Sequence, residues 1–336
     1  MAQSISTASP TDITVDGPPL EGHAQKRYEQ FRWFCGSRLV GLFAAAYVDQ
    51  GMQHDVSDAT WATGRYENRP LERNMRTLAA GQLVMWGDAE VNARHLDRLK
   101  TLHREVKGKG RDGRPYSAYS PRAWNLVYLS MFLLYRNSYT PITGDPLTDE
   151  DNEIFYRVVW DKMGSLSFSG RSSGLPRSYA EAMEYYQDLL DNELTDTYML
   201  EVGRKLFATP PAPEDLPTAL RPVWPLISRV AGEVAITCGM AISRPKVRDV
   251  FGFPFNKVRR IEYAIICRVL PVLYHRLPKR ISMAPLAYNR WQYEQLVSDL
   301  EGTQLTSFRP DPELVRGTHS MVQSLCGLGL VGRGPL

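Results

Sequence analysis

The chain has 336 residues, enough for one large domain or two small ones with a sizeable buried core. Hydrophobic residues make up 43% and charged residues 23%, as in ordinary soluble globular proteins. A net charge of +3 without a basic run argues against nucleic acid as a partner. The four cysteines are scattered and form no zinc or redox motif, which favours a reducing, cytoplasmic location.

Helical patterns dominate the first third of the chain. An aromatic and aliphatic face predicts a helix over residues 24–48, and Pro70 stands near the start of a second helix over 69–86. Asp88 is predicted to cap a third helix that ends at Gly108. A glycine-rich turn, GKGRDGRPYS, follows that helix.

The middle of the chain also reads as helices. Ser120 and Pro121 open a helix that is apolar on nearly every face, so it is predicted to be central in the fold. Thr148 begins the next helix, and Ser178 with Glu181 makes a predicted capping box. No sustained strand alternation or internal repeat is present, and the fold class predicted is therefore all-α.

We predict a single multi-helix domain over residues 23–302. A polar leader, 1–22, precedes it, and a weakly structured tail, 303–336, follows it. The apolar segment 223–242 contains two charged residues, which favours a buried or interfacial helix over a membrane span. Together with the basic segment 256–280, it leaves contact with a membrane surface open. The oligomeric state is not indicated by the sequence.

One histidine lies on an apolar helical stripe. In RHLDRLKTLHREVKG (94–108), the stripe contains Leu96, Leu99 and His103, whereas His95 points about 80° away. One histidine is therefore expected to face the interior and the other the solvent. A histidine in such a place is more often a packed core residue than a ligand. A single neutral imidazole can nevertheless coordinate a heme iron.

The preceding helix carries a polar group at its start. Arg73, Arg76 and Thr77 lie at positions i, i+3 and i+4, and Ala80 and Val84 continue the same side. Such a side, cationic first and then small and apolar, suits the wall of a pocket for a flat apolar ring with charged edges. The plainer interpretation is that the two arginines are solvated residues of a first helical turn.

The order of these motifs resembles the MpaB and rubber-oxygenase (latex-clearing protein) family over roughly residues 30–300. The matching pieces are R-x-x-x-T (73–77), L-H-R-x-V-x-G (102–108), DGRPYSAYSP, W-x-L-V-x-x-S (124–130), LRPVWPL and RLPKRISMAPLAYNRW. The resemblance implies an all-α fold with a globin-like core that binds heme b. It also implies an iron-dependent oxygenase that acts on isoprenoid-like or other apolar natural products.

The resemblance assigns roles to individual residues. His103 matches the axial ligand of the heme iron, and Arg73, Arg76 and Thr77 match the polar group on the opposite side. There, Arg73 or Arg76 would donate to O2 or peroxide, and Thr77 would relay a proton or hold a water. Arg73 and Thr77 also count among the expected cofactor-binding residues.

The chain departs from the family pattern at two places. Arg76 stands where the rubber oxygenase has a lysine that can approach the iron, and arginine rarely ligates a metal. Many relatives have a second histidine after the DGRPY turn, where this chain has Asn125 and Leu126. The chain therefore has no histidine at these positions to act as a base. The segment 53–55 (QHD) matches another recurring family element.

The sequence thus predicts a heme-dependent oxidoreductase of the oxygenase kind, with an apolar small-molecule substrate. One rival keeps the heme but changes the reaction to that of a dehydratase, a cyclase or a peroxidase-like enzyme. A second rival is a non-catalytic helical protein that binds an apolar ligand. Turnover without oxygen distinguishes the first rival, and failure to bind heme distinguishes the second.

Overall fold

The computed structural model describes residues 15–64, 70–164, 174–208, 212 and 216–302. These residues are mostly helical, which confirms the all-α prediction. The helices are α1 (Gly22–Phe34), α2 (Val48–Gly51), α3 (His54–Ala62), α4 (Pro70–Trp86), α5 (Ala89–Arg104), α6 (Pro121–Thr143), α7 (Asp149–Met163), α8 (Tyr179–Asn192), α9 (Tyr198–Ala208), α10 (Trp224–Ile242), α11 (Pro245–Phe251), α12 (Lys257–Arg276), α13 (Lys279–Ser282) and α14 (Pro285–Glu301). Two 3₁₀ helices, Arg38–Tyr47 and Thr218–Leu220, and an antiparallel pair of strands, β1 (Lys107–Lys109) and β2 (Pro115–Ser117), complete the elements.

The chain divides into two compact units, Met1–Ala284 and Pro285–Leu336. The first unit contains α1 to α13 and the two strands, and the described part of the second is α14 with one further residue. The predicted leader and tail stay predictions, because residues 1–14 and 303–336 lie outside the described residues.

The single helix predicted over residues 24–48 is wrong. α1 ends at Phe34, and a 3₁₀ helix begins at Arg38. Contacts with a distant part of the chain hold the break open, since the Gly36 carbonyl accepts a hydrogen bond from the Ala284 N–H at 2.8 Å. Ser37 also forms an isolated bridge with Met283. A helix that continued through residues 35–37 would use these backbone groups internally.

The 3₁₀ helix packs closely against α10. A Cβ added at Gly239 would lie 2.6 Å from the Ala45 Cβ, so only glycine permits this approach. Cys238 and Met240 beside it are fully buried. Among the described residues, α10 is long and apolar enough to cross a membrane, a test that core helices of soluble proteins also pass. Its C-terminal half is part of the core.

Helix α6 lies in the centre of the first unit, as its apolar pattern predicts. Leu126, Leu129 and Phe132 are fully buried, and the Phe132 ring meets the Tyr156 ring of α7 nearly at a right angle with centroids 4.9 Å apart. The Ser120 side chain caps the helix by accepting from the Ala123 N–H at 3.4 Å. Aromatic packing of this kind gives α6 a fixed rotation about its axis.

The predicted caps are largely correct. The Thr148 hydroxyl accepts from the Asp151 N–H, and the Asp151 carboxylate accepts from the Thr148 N–H, which makes a full capping box at α7. At α8, Ser178 accepts from the Glu181 N–H as predicted. The Glu181 carboxylate, however, accepts from the Arg177 N–H at 2.9 Å, one residue earlier than a capping box requires.

Asp49 of α2 is a carboxylic acid buried in this core, with 4% of its surface exposed. Its Oδ2 accepts hydrogen bonds from the Ser130 hydroxyl at 2.9 Å and from the Tyr186 hydroxyl at 2.7 Å. Its Oδ1 has no partner within the described part of the chain. Burial raises the pKa of Asp49 from its ordinary value of 3.8 to about 6, against the smaller opposing effects of hydrogen bonding by Tyr186, by Ser130 and by the Gln50 backbone.

We expect Asp49→Asn to flatten the dependence of stability on pH. Because the folded pKa lies above the unfolded value, the folded state holds the proton more tightly, and stability falls as the pH rises through this window. A pKa shift of this size corresponds to a change of about 3 kcal/mol in the free energy of unfolding. The free energy of unfolding of the variant relative to the wild type should therefore rise by about 3 kcal/mol between about pH 3 and pH 8 in urea titrations. Parallel pH profiles for the two proteins would show that Asp49 does not titrate in this window.

Candidate functional site

Helices α4 and α5 form an antiparallel helical hairpin, which places the predicted site residues at one end of it. The connection is only Gly87 and Asp88, and the Asp88 side chain caps α5 by accepting from the Val91 N–H at 2.8 Å, as predicted. In such a hairpin, the first turns of one helix and the last turns of the other lie at the same end. We therefore expect residues 73–77 and His103 to lie toward the same end of the helix pair.

The orientation of the His103 ring is fixed by two neighbours. Its Nδ1 lies 2.7 Å from the Leu99 carbonyl oxygen, and because a carbonyl only accepts, Nδ1 carries the proton and donates. The Nε2 lone pair is then available to a ligand. The ring packs edge-on against Trp124 with centroids 5.1 Å apart, and the Trp124 indole N–H donates to the Ala118 carbonyl at 2.7 Å.

The expectation that one histidine faces the interior and the other the solvent is wrong, since both His95 and His103 are half-buried. The first half of α5 is covered on two sides, because the Asn92 amide donates to carbonyls of Val84 in α4 and of Lys162 in α7. The Nε2 of His95 is buried without a hydrogen-bond partner among the described residues. Burial, with a smaller contribution from nearby positive charge, lowers the pKa of His95.

The three predicted polar residues of α4 have different surroundings. Arg73 is half-buried, and its Nη2 lies 3.4 Å from the Thr60 hydroxyl of α3. Arg76 is exposed and forms an ion pair with Glu72, one turn earlier. Thr77 is exposed, and its hydroxyl donates to the Arg73 carbonyl at 3.1 Å. Of the three, Arg73 reaches a neighbouring helix, and Arg76 and Thr77 lie on the open side of α4.

Two large apolar side chains are exposed at the same end of the hairpin. Leu78, next to Thr77, exposes 55% of its surface, and Leu102, next to His103, exposes 48%. Burying a leucine side chain is worth roughly 1.5–3 kcal/mol, so this apolar surface favours a ligand that covers it. At about 100° per residue, Leu78 lies roughly 140° around α4 from Arg73, and Leu102 lies about 100° around α5 from His103, so the exposed leucines and the polar residues occupy different sides of each helix.

Strands β1 and β2 form a hairpin immediately after α5, where the sequence predicted a longer helix and a turn. The helix ends at Arg104 rather than at Gly108, because Lys107–Lys109 pairs with Pro115–Ser117. The Gly110 N–H donates to the Arg114 carbonyl at 2.8 Å and closes the hairpin. Backbone groups that would have continued α5 are used by the strand pair instead.

The segment 53–55 holds this hairpin against α3. Gln53 caps α3 by accepting from the Val56 N–H at 3.1 Å. Asp55 accepts from the Ser117 N–H at 3.0 Å, and the Arg114 guanidinium donates to the His54 Nε2 at 3.0 Å. The motif thus has a structural role, which is to fix the strands that follow His103.

We expect Gly110→Ala to destabilise the protein, because an added Cβ would lie 2.1 Å from the Asp58 Oδ2. Either the hairpin or the carboxylate must move, at a cost of about 1–3 kcal/mol in the free energy of unfolding. Gly41→Ala is the matched control, since a Cβ there meets nothing within 4 Å. Denaturant unfolding should also show that Asp58→Ala, combined with Gly110→Ala, recovers part of the loss. Equal stability of the two glycine variants would contradict this account.

A small, shallow groove lies between α3 and α9. Its lining is mostly apolar and consists of Ser57, Thr60, Trp61, Gly64, Tyr198, Met199 and Val202. Because the Thr60 hydroxyl also contacts Arg73, this guanidinium stands between the groove and the α4–α5 hairpin.

The positions where many relatives of the family have a second histidine belong to the core. Asn125 is buried, and its amide donates to the Tyr185 hydroxyl at 3.2 Å. Leu126 is fully buried. Neither side chain supplies a titratable base. The sequence also gave no indication that Trp124 would orient His103, since this contact joins two separate helices.

Within the described residues, no group of three or more His, Cys, Asp or Glu side chains is placed to hold a bare metal ion. No curated protein matches the chain, and no solved structure matches it. Residues 32–272 match the family described as ER-bound oxygenase mpaB/B'/Rubber oxygenase, catalytic domain. The chain therefore belongs to this family of oxygenase catalytic domains.

Proposed function

We propose that the chain is a heme b-dependent oxygenase of an apolar small molecule, with His103 as the axial ligand of the iron. The observation that supports this most strongly is the His103 ring, whose Nδ1 is committed to the Leu99 carbonyl and whose Nε2 is left as a ligand atom. A backbone carbonyl on the second ring nitrogen is the arrangement that typically fixes the tautomer of a ligating histidine and raises its basicity. When bound, the heme supplies the activation of O2 or peroxide.

The polar residues of α4 supply charge and a proton donor. The Arg73 guanidinium stays charged at any physiological pH, and half-burial strengthens its field at a developing negative charge. Arg76 is tied to Glu72 and lies at the rim, where it fits a carboxylate edge of the cofactor or substrate. The Thr77 hydroxyl, which now donates to the Arg73 carbonyl, can hold or pass a proton at its Oγ1.

The apolar surroundings favour an apolar substrate. The groove beside Arg73 is lined mainly by carbon atoms, and Leu78 and Leu102 leave further apolar area exposed on α4 and α5. Isoprenoid-like molecules or other apolar natural products would bind here through apolar contacts rather than through hydrogen bonds. A cytoplasmic location is part of the proposal, because the described cysteines, Cys35, Cys238 and Cys267, are free thiols.

Titration of the purified protein with hemin tests the proposal. We expect a strong Soret band that saturates at one equivalent, and substrate turnover in air that stops without oxygen or peroxide. Turnover of the heme-loaded protein without any oxidant would favour a dehydratase or cyclase. A protein that stays colourless with hemin would overturn the heme assignment and favour a non-catalytic ligand-binding role.

A further inference from the structure

Helix α12 carries a stripe of large aliphatic side chains that no other part of the described chain covers. They follow one another at steps of three and four residues, so they occupy an arc of about 80°. The members of this aliphatic stripe, each 49–62% exposed, are Val258, Ile261, Ile265, Val269 and Val272. An ordinary surface helix presents polar residues on its outer side, and a continuous apolar one there marks an interaction surface.

The inner side of α12 is attached to the body of the first unit, which fixes the direction of the stripe. Leu270 is buried, and Pro271 lies 3.4 Å from the position of a Cβ on Gly144. His275 contacts the Thr143 carbonyl through its Nε2 at 3.0 Å. The aliphatic stripe is therefore the outward side of an anchored helix rather than the core side of a displaced one.

The stripe lies in the most basic part of the chain. Residues 257–280 contain seven Lys and Arg side chains and a single acid, Glu262, for a net charge of +6. Arg259 forms ion pairs with that acid and with Glu233 of α10. The remaining cations are Lys257, Arg260, Arg268, Arg276, Lys279 and Arg280, all exposed.

The N-terminal half of α10 adds a second exposed apolar surface. It contributes Leu226, Ile227 and Val230, and the exposed Val223 lies just before it. Arg259 joins α10 to α12 through Glu233 and through the Thr237 hydroxyl at 3.1 Å. The two helices thus present apolar side chains together with a large excess of positive charge.

We propose that α12, with the exposed half of α10, docks the protein peripherally on anionic phospholipid membranes. The aliphatic stripe enters the boundary between headgroups and acyl chains, and the surrounding Lys and Arg side chains contact lipid phosphates. Charge complementarity favours an anionic membrane over a second copy of the chain. Two copies docked through this surface would bring two segments of charge +6 together, and these would repel each other. The inference goes beyond the proposed oxygenase function and does not depend on heme.

Co-sedimentation of the full chain with vesicles tests this proposal. We expect binding to mixed phosphatidylglycerol and phosphatidylcholine vesicles, weaker binding in high salt, and little binding to phosphatidylcholine alone. Since each cation near an anionic surface contributes about fivefold, the variant Lys257→Gln/Arg268→Gln/Arg276→Gln, which removes cations that border the stripe, should lose about 100-fold in partitioning. The stripe variant Ile261→Ser/Ile265→Ser/Val269→Ser should lose at least about tenfold.

The control variant Arg94→Gln/Arg177→Gln/Lys205→Gln removes the same charge from exposed positions on other elements and should bind like the wild type. All substitutions are at exposed sites, so circular dichroism melts should coincide. Absence of vesicle binding in the wild type, or equal loss in the control variant, would overturn the proposal. So would a dimer in sedimentation equilibrium that the stripe variant dissociates, since the occupant would then be a second copy.

Discussion

Replacing His103 with alanine is expected to abolish the Soret band of the heme-loaded protein while leaving the helical fold intact. The proposed ligand atom is Nε2, and the change removes the hydrogen bond from Nδ1–H to the Leu99 carbonyl. The ring is half-buried and lies at the last turn of α5, so we expect a loss of about 1 kcal/mol in the free energy of unfolding. Hemin titration and far-UV circular dichroism measure the two effects separately.

His95→Ala is the matched control, because His95 lies on the same helix and is buried to a similar degree. That variant should keep the Soret band. Added imidazole should restore the band in His103→Ala, since it can occupy the vacated ligand position. A Soret band that survives in His103→Ala and is lost in His95→Ala would assign the iron to the buried, unpartnered Nε2 of His95 and contradict the present assignment.

Local signals predicted the helix starts well. Asp88, Ser120 and Thr148 each cap a helix where the sequence placed one, because a cap depends on a side chain and on backbone groups two or three residues away. The break at residues 35–37 carried no such signal. It is held by Met283 and Ala284, which lie far along the chain, and the apolar pattern on either side favoured a continuous helix.

The β-hairpin was missed for a related reason. Its strands have three residues each, too few for an alternating pattern, and glycines at 108, 110 and 113 indicated a turn. What fixes the hairpin is its contact with α3 through Asp55 and through the space that Gly110 leaves for Asp58. Both are tertiary contacts, and sequence periodicity does not report them.

Local patterns placed the candidate site residues on their helices but did not indicate the neighbours of each. Periodicity placed His103 on the apolar stripe, and spacing placed Arg73, Arg76 and Thr77 on one helix. Spacing alone did not indicate that the two arginines have different partners. Arg73 contacts Thr60 of α3, whereas Arg76 forms an ion pair with Glu72 of its own helix. That division depends on which neighbouring helix lies beside each arginine.

A buried ion-pair network around Arg27 was also invisible in the sequence. Arg27 is 8% exposed, and its guanidinium donates to both Asp151 oxygens, at 2.7 and 2.9 Å, and to Asp145 at 2.6 Å. The same group lies 4.6 Å from the centre of the Phe31 ring. It therefore joins α1 to α7, and the sequence placed Asp151 only in a helix cap.

Arg27→Met should lower the free energy of unfolding by about 3–5 kcal/mol, because methionine keeps the packing of the stem and leaves the Asp151 carboxylate buried without its cation. Denaturant titration measures the loss. Asp151→Asn keeps the oxygen that caps α7, so the double variant Arg27→Met/Asp151→Asn should recover part of the stability. Simple additivity of the two single changes would show that the charges are not coupled.

The pH dependence gives an independent check on the same network. The hydrogen bond from Arg27 is the largest of the effects that together hold the pKa of Asp145 below its ordinary value. A carboxylate whose folded pKa is lowered stabilises the fold above its unfolded pKa, and this stabilisation is lost as the pH falls through the folded pKa. The wild type should therefore lose stability from this group in acid, and Arg27→Met should lose less over the same range. If both proteins lose stability equally below the ordinary pKa of aspartate, Arg27 is not the group that holds Asp145 ionised, and the α1–α7 contact is maintained by the packing of Phe31 instead.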